Sequence, residues 1–178
     1  MWTEIDDLKE SNEFLNLLLD NINSAVLIAD ENLQIHQFND SFLNLFDSAA
    51  ESILEASFGE TAGCVNAITE NKSCGQTSHC ARCILRRSLI QTLTDRVPVD
   101  NQPLNRVFYI NGTPVEKHLQ FSTRTIMYQG RKMFLIIIYD VTDIEQQKIE
   151  LINKQKQLDR DLESAAAIQQ SLLPARSP

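Results

Sequence analysis

Apolar residues recur at roughly helical spacing over residues 3–21, at Ile5, Leu8, Phe14, Leu15, Leu18 and Leu19, with acidic residues between them. That pattern predicts an amphipathic helix. The period then changes. Ala25–Ala29 is a short apolar run closed by Asp30-Glu31-Asn32, and Leu33–Phe38 alternates apolar and polar residues, so the pair reads as a β-hairpin. Asn39-Asp40-Ser41 has the composition of a helix cap, leading into a short helix with Phe42, Leu43, Leu45 and Phe46. A short helix around Ser52–Ala56 is expected next, then irregular chain rich in Gly, Ser, Asn and Cys up to residue 78. From about Ser78 the spacing is helical again, with Ile84, Leu85, Leu89, Ile90 and Leu93 on one face and Val97-Pro98 as the stop.

Three strands should follow. Leu104–Ile110 runs into Asn111-Gly112, a strong hairpin signal. Val115–Met127 alternates at Leu119, Phe121 and Thr123 before Gln129-Gly130, and Met133–Val141 is the most apolar run and should be central to a sheet. Residues 143–173 then form a long polar stretch without Gly or Pro, which predicts a helix. Ile144, Leu151, Leu158, Ala165 and Leu172 are spaced by seven throughout, whereas of the partner positions Lys148, Gln155, Leu162 and Gln169 only Leu162 is apolar. This is half of a heptad seam, so a coiled coil here should be weak, as suits a linker that changes its packing.

Composition narrows the function. The 178 residues suffice for one domain plus extra helix, and 43% hydrophobic with 22% charged residues suits a globular protein. A net charge of −8 disfavours nucleic acid or an anionic membrane as partner, since both demand a basic face. The longest strongly apolar run, Met133–Ile138, is too short to span a bilayer. The acidic N-terminus does not look like a signal peptide. A cytoplasmic location is therefore expected, and there four cysteines serve more readily as metal ligands or redox groups than as structural disulfides.

The order of helix, two strands, short helices, longer helix, three strands and exit helix resembles the PAS domain. Three stretches carry the likeness. Leu18-Leu19-Asp20-Asn21-Ile22-Asn23-Ser24-Ala25-Val26-Leu27-Ile28-Ala29-Asp30 looks like the opening of that domain. Phe38-Asn39-Asp40-Ser41-Phe42 looks like its second strand entering a helix, and Asp140-Val141-Thr142 looks like its Asp-x-Thr junction before a signalling helix. The resemblance implies an α+β fold, a five-stranded antiparallel sheet with helices on one face, over about residues 16–145. It also implies a role for Asp140 and Thr142 in passing a signal onward.

A second resemblance lies at the C-terminus. Glu163-Ser164-Ala165-Ala166-Ala167-Ile168-Gln169-Gln170-Ser171-Leu172-Leu173-Pro174 is similar to the opening helix of bacterial PPM-type serine/threonine phosphatases of the sporulation and stress-response class. It implies a downstream phosphatase domain in the same polypeptide. The metal-holding aspartates of such a domain are absent here, so no catalysis is expected of this chain. No nucleophile–base pair or phosphate-binding loop is visible either.

All four cysteines fall within twenty residues, at Cys64, Cys74, Cys80 and Cys83, separated by nine, five and two residues. Cys-x-x-Cys opening a helix is a common way to place two thiolates on one metal. Cys80 and Cys83 are thus expected on one side of the helix that starts near Ser78, with its N-terminus favouring thiolate. Gly63 and Gly75 permit tight backbone beside Cys64 and Cys74. Four thiolates on zinc or on a typical iron–sulfur cluster leave about two negative charges. Lys72, Arg82, Arg86 and Arg87 are placed to offset them, or they form an ordinary exposed helix face. The spacing matches neither ferredoxin patterns nor the two-plus-two zinc pattern. The occupant stays open among an iron–sulfur cluster, which oxygen or oxidants can alter, a structural zinc, and a reversible disulfide.

Other cofactors fit less well. Ile84 follows Cys83 where a covalent haem needs His, and Cys64 is followed by Val65-Asn66-Ala67-Ile68 rather than the flavin-photosensor motif. His79 lies near the cysteine helix, while His36 and His118 fall on strands. The chain thus divides into a dimerisation helix (1–21), a PAS domain (22–142) and a coiled-coil linker (143–178). A homodimer through both terminal helices is expected, without nucleic acid or membrane. The function expected is a sensory module whose cysteine site responds to redox or gas and regulates a phosphatase through the coiled coil. The alternative is an interaction module that zinc merely stabilises.

Overall fold

In a computed structural model the described residues are 17–19, 21–48, 53, 56–95, 97–128 and 130–172. The expected helix over 3–21 lies mostly outside them; residues 17–19 and 21 are helical. Most of the expected Ser52–Ala56 helix also lies outside them. The chain forms two compact units that divide between Val141 and Thr142.

The first unit is built on a five-stranded antiparallel sheet. Its strands are β1 (Ala25–Ala29), β2 (Ile35–Phe38), β3 (Val99–Ile110), β4 (Thr113–Tyr128) and β5 (Arg131–Asp140), in spatial order β2-β1-β5-β4-β3. β5 is the middle strand, as its apolar sequence requires. Ile136 and Ile138 of β5 face Leu27 and Ala25 of β1 on one side and Thr123 and Phe121 of β4 on the other, all buried. β3 starts earlier than expected, at Val99, and ends at Ile110 as expected, while β4 extends beyond Val115–Met127 at both ends; the pair closes at Ile110–Thr113 across a two-residue turn with both Asn111 and Gly112 at positive φ.

Between β2 and β3 lie α1 (Asp40–Phe46), α2 (Phe58–Thr61), α3 (Val65–Glu70), a 3-10 turn at Cys80–Arg82, and α4 (Ile84–Asp95). α1 begins where the cap was expected: Asn39 Oδ1 accepts from the Phe42 amide at 3.2 Å. The same side chain ties the cap to β1, accepting from the Val26 amide and donating to the Ser24 carbonyl. α2 and α3 occupy chain expected to be irregular. Phe42, Phe46, Phe58 and Phe108 form a continuous edge-and-tilt aromatic cluster, with Phe46 and Phe108 centroids 5.2 Å apart. Each such buried ring stabilises the fold by about 1.5–3 kcal/mol relative to exposure. The cluster matters for the site because Phe108 also bridges Cys64 in a short antiparallel pairing.

The second unit contains α5 (Thr142–Leu172), 31 residues without interruption. Ile144, Leu151, Leu158 and Leu162 are each more than half exposed on it. Among the described residues no helix is long and apolar enough to cross a membrane.

Candidate metal or redox site

Two local devices bring the cysteines in from loops. Gly63 stands at φ +67°, and the Tyr109 amide donates to its carbonyl at 2.7 Å, so the chain before Cys64 lies against β3. A Cβ at Gly63 would collide with the Tyr109 carbonyl oxygen, so glycine is required there. The loop after α3 is closed by Glu70. Its carboxylate accepts from the Ser78 amide at 3.0 and 3.1 Å, from the Ser78 hydroxyl at 2.6 Å, and from Lys72 at 3.2 Å, with His79 Nδ1 at 3.1 Å. These donors, the Ser78 hydroxyl first, hold the Glu70 carboxyl at about 2, well below its ordinary value.

Cys64, Cys74, Cys80 and Cys83 all line one cavity, together with Leu33, Phe58, Leu85, Leu104, Arg86 and Arg106. Within it the thiols stand as two pairs, each with its own guanidinium. Arg106 Nη1 donates to Cys64 Sγ at 3.3 Å and reaches Cys83 Sγ at 4.0 Å. Arg86 serves the other pair, hydrogen-bonding Cys74 and placing its charge near Cys80. Cys80 Sγ also accepts from the Gly75 amide at 3.1 Å and lies 3.0 Å from the Thr77 hydroxyl.

The electrostatics follow from these partners. Burial pushes the Cys74 thiol up, and the neighbouring Cys80 adds to this, against the Gly59 amide and Arg86. Burial also acts on Cys80, but the Thr77 and Gly75 hydrogen bonds and the Arg86 charge outweigh it and bring that thiol below its ordinary value. Arg106 pays burial too, yet Cys83 and Cys64 overcome it and hold the guanidinium more firmly charged.

The Cys-x-x-Cys geometry differs from the expectation. Cys80 opens a single 3-10 turn, and Cys83 is extended at φ −65°, ψ 118° before α4 begins at Ile84. The Arg87 amide bonds to the Cys83 carbonyl at 2.9 Å, so Cys83 caps α4 rather than sitting within a helix shared with Cys80. The break turns the two sulfurs toward different guanidiniums. Of the cations named from sequence, only Arg86 lines the cavity; Lys72 holds Glu70, and Arg82 and Arg87 are elsewhere. Arg106 was not legible beforehand, since a lone arginine in a strand otherwise reads as solvent-facing. Its position between buried Leu104 and Phe108 at period two is the signal that points it inward.

The donor set fits a thiophilic metal: four thiols around one cavity, balanced by two cations. As the side chains stand, no group of three His, Cys, Asp or Glu among the described residues converges on a common ion position, and the Arg106 guanidinium reaches both Cys64 and Cys83. The cavity measures about 30 Å³, room for about two water-sized occupants.

Asp140 closes β5 and accepts from Lys117 Nζ at 2.7 Å. Thr142 opens α5.

Comparisons with known proteins agree with this architecture. The family profile described as a PAS domain matches residues 13–81, which include Cys64, Cys74 and Cys80. No curated protein matches the chain. Among solved structures, a PAS domain from Colwellia psychrerythraea is similar with a TM-score of 0.51 and 13% identity, covering 76% of this chain and 98% of that one. The PAS domain of nitrogen regulation protein NR(II) from Vibrio parahaemolyticus shares 21% identity over 71% of this chain and 96% of its own, with a TM-score of 0.48. A PAS domain of an HTR-like protein from Haloarcula marismortui gives 14%, 76%, 96% and 0.49 respectively. With a five-stranded antiparallel sheet, its helices and the likeness to the Colwellia psychrerythraea structure in agreement, the chain has the α+β PAS fold, and its residues 13–81 match the PAS-domain profile.

Proposed function

We propose that the chain is a sensory and dimerisation module in which Cys64, Cys74, Cys80 and Cys83 hold a redox- or gas-responsive metal centre, an iron–sulfur cluster or a zinc ion. The observation that carries this reading is the convergence of all four thiols on one cavity with two guanidiniums inside a PAS fold. When bound, the group supplies a site whose oxidation or loss changes the charge among the thiols. The protein's own part is to gather the thiols, exclude bulk water with Leu33, Phe58, Leu85 and Leu104, and balance the negative charge with Arg86 and Arg106.

The output is a serine/threonine phosphatase domain beyond residue 178, reached through α5. Support comes from the phosphatase-like Ile168-Gln169-Gln170-Ser171-Leu172-Leu173-Pro174 run and from the exposed seven-residue stripe of Ile144, Leu151 and Leu158. A second copy of the chain is the partner that such a stripe fits, with the 1–21 segment contributing to the same dimer. The module works in the cytoplasm, where thiols are kept reduced and available as ligands.

A second reading is favoured by the small cavity: a single zinc ion, which needs less room than a cluster, would stabilise an interaction module that senses nothing. The test is a Cys80→Ser, Cys83→Ser double variant. Loss of metal together with loss of phosphatase regulation in the full-length protein supports the sensory reading. Loss of metal and of folding, with no dependence of output on oxidant in the unaltered protein, supports structural zinc. Unchanged metal content and output would contradict both.

A further inference from the structure

Arg106 and Lys117 stand directly opposite each other in the β3–β4 register. Directly opposed residues of an antiparallel pair project to one face, and here that face is the inner one, because Leu104 with Leu119 and Phe108 with Val115 flank the pair. Two cations are thus held side by side, an arrangement that costs stability unless each is drawn to its own anion. Each is. Arg106 is drawn toward Cys64 and Cys83, and Lys117 toward Asp140. We propose that Arg106 and Lys117 are positioning residues that couple the Cys64–Cys83 thiol pair to Asp140, the last residue of β5 before the exit helix.

The coupling is a matter of shared geometry. While the sulfurs hold the Arg106 guanidinium, Lys117 keeps its 2.7 Å contact with Asp140. When the thiol pair is altered and releases Arg106, the guanidinium turns back along the strand and competes for the carboxylate that Lys117 holds. The end of β5 sits where this is felt: Asp140 pairs with Leu119 on β4, and the next amide, Val141, donates to the His118 carbonyl at 2.9 Å. The Cys74–Cys80 pair, served by Arg86 on α4, has no such strand partner in the β3–β4 register. One thiol pair is therefore wired to the junction and the other is not.

This inference rests on the cysteine site being the sensing element, but its test needs no metal. Amide hydrogen exchange is followed by NMR on the metal-free chain for Cys64→Ala/Cys83→Ala, which releases Arg106, for the same pair with Arg106→Met, which removes the released guanidinium, and for Cys74→Ala/Cys80→Ala. The expected result is about threefold or faster exchange at Val141 in Cys64→Ala/Cys83→Ala, within the range of coupling that packed networks carry. Adding Arg106→Met should return Val141 to its original rate, and Cys74→Ala/Cys80→Ala should leave it unchanged. Cys64→Ser/Cys83→Ser serves if the alanine pair does not fold, with a smaller change of the same sign expected. An unchanged Val141 in Cys64→Ala/Cys83→Ala, no reversal by Arg106→Met, or equal effects from Cys74→Ala/Cys80→Ala, would overturn the coupling. A chain that loads no metal yet shows the coupling would overturn the metal reading alone.

Discussion

Cys74 and Cys80 share the Arg86 guanidinium yet hold their protons oppositely. Burial wins at Cys74 and keeps it a thiol, whereas Thr77, Gly75 and Arg86 prevail over burial at Cys80 and favour the thiolate. The thiolate is the reactive form. In metal-free protein at neutral pH, Cys80 is therefore expected to alkylate several-fold faster than Cys74. Peptide mapping after a brief pulse of iodoacetamide reads this directly, and Thr77→Val should narrow the gap by removing one hydrogen bond to Cys80.

Gly59 marks how closely the wall of the site is fitted. A methyl group there would lie 2.8 Å from Cys74 Sγ and 2.9 Å from its Cβ. Gly59→Ala should displace Cys74, lower metal occupancy, and cost about 1–3 kcal/mol in chemical denaturation, as overpacked sites do. A fully occupied and equally stable variant would show that Cys74 is not held where it is described.

Glu70 predicts an acid limit for the cysteine loop. Its carboxyl is held at about 2 against an ordinary 4.5, so the clamp on Ser78 is fully present above pH 4.5 and is lost as the pH falls toward 2. Glu70→Gln removes this dependence and should speed exchange of the Ser78 amide at neutral pH. Hydrogen exchange of Ser78 between pH 6 and lower values compares the two proteins.

For α5 the expected partner is a second copy. Leu151→Asp and Leu158→Asp should each weaken dimerisation by at least about tenfold, since each replaces a seam residue worth about 1.5–3 kcal/mol when buried. Gln155→Leu, which fills a polar seam position, should strengthen it. Analytical ultracentrifugation over a concentration series measures both.

The hairpins, the cap at Asn39 and the central place of β5 were legible because each depends on local chemistry: alternation, a side-chain acceptor, an Asn-Gly turn. α2 and α3 were not. They are four and six residues long, too short to establish a period, and they persist because Phe58 and Ala67 pack against the unit's interior. The cysteine cluster could be read from spacing alone, but its division into two pairs could not. That division depends on the break at Cys83 and on Arg106, a residue 23 positions further along that only the fold brings to the sulfurs.

The claim that the four cysteines form one metal centre is tested most directly by purifying the protein without oxygen, then measuring metal, acid-labile sulfide and the visible absorption spectrum on the same sample. The account predicts a bound thiophilic metal in stoichiometric amount, lost on Cys80→Ser/Cys83→Ser substitution: iron with sulfide and a blue–violet band for a cluster, or colourless zinc for a single ion. Protein free of metal and sulfide, with all four thiols titrating as free cysteines, would contradict it.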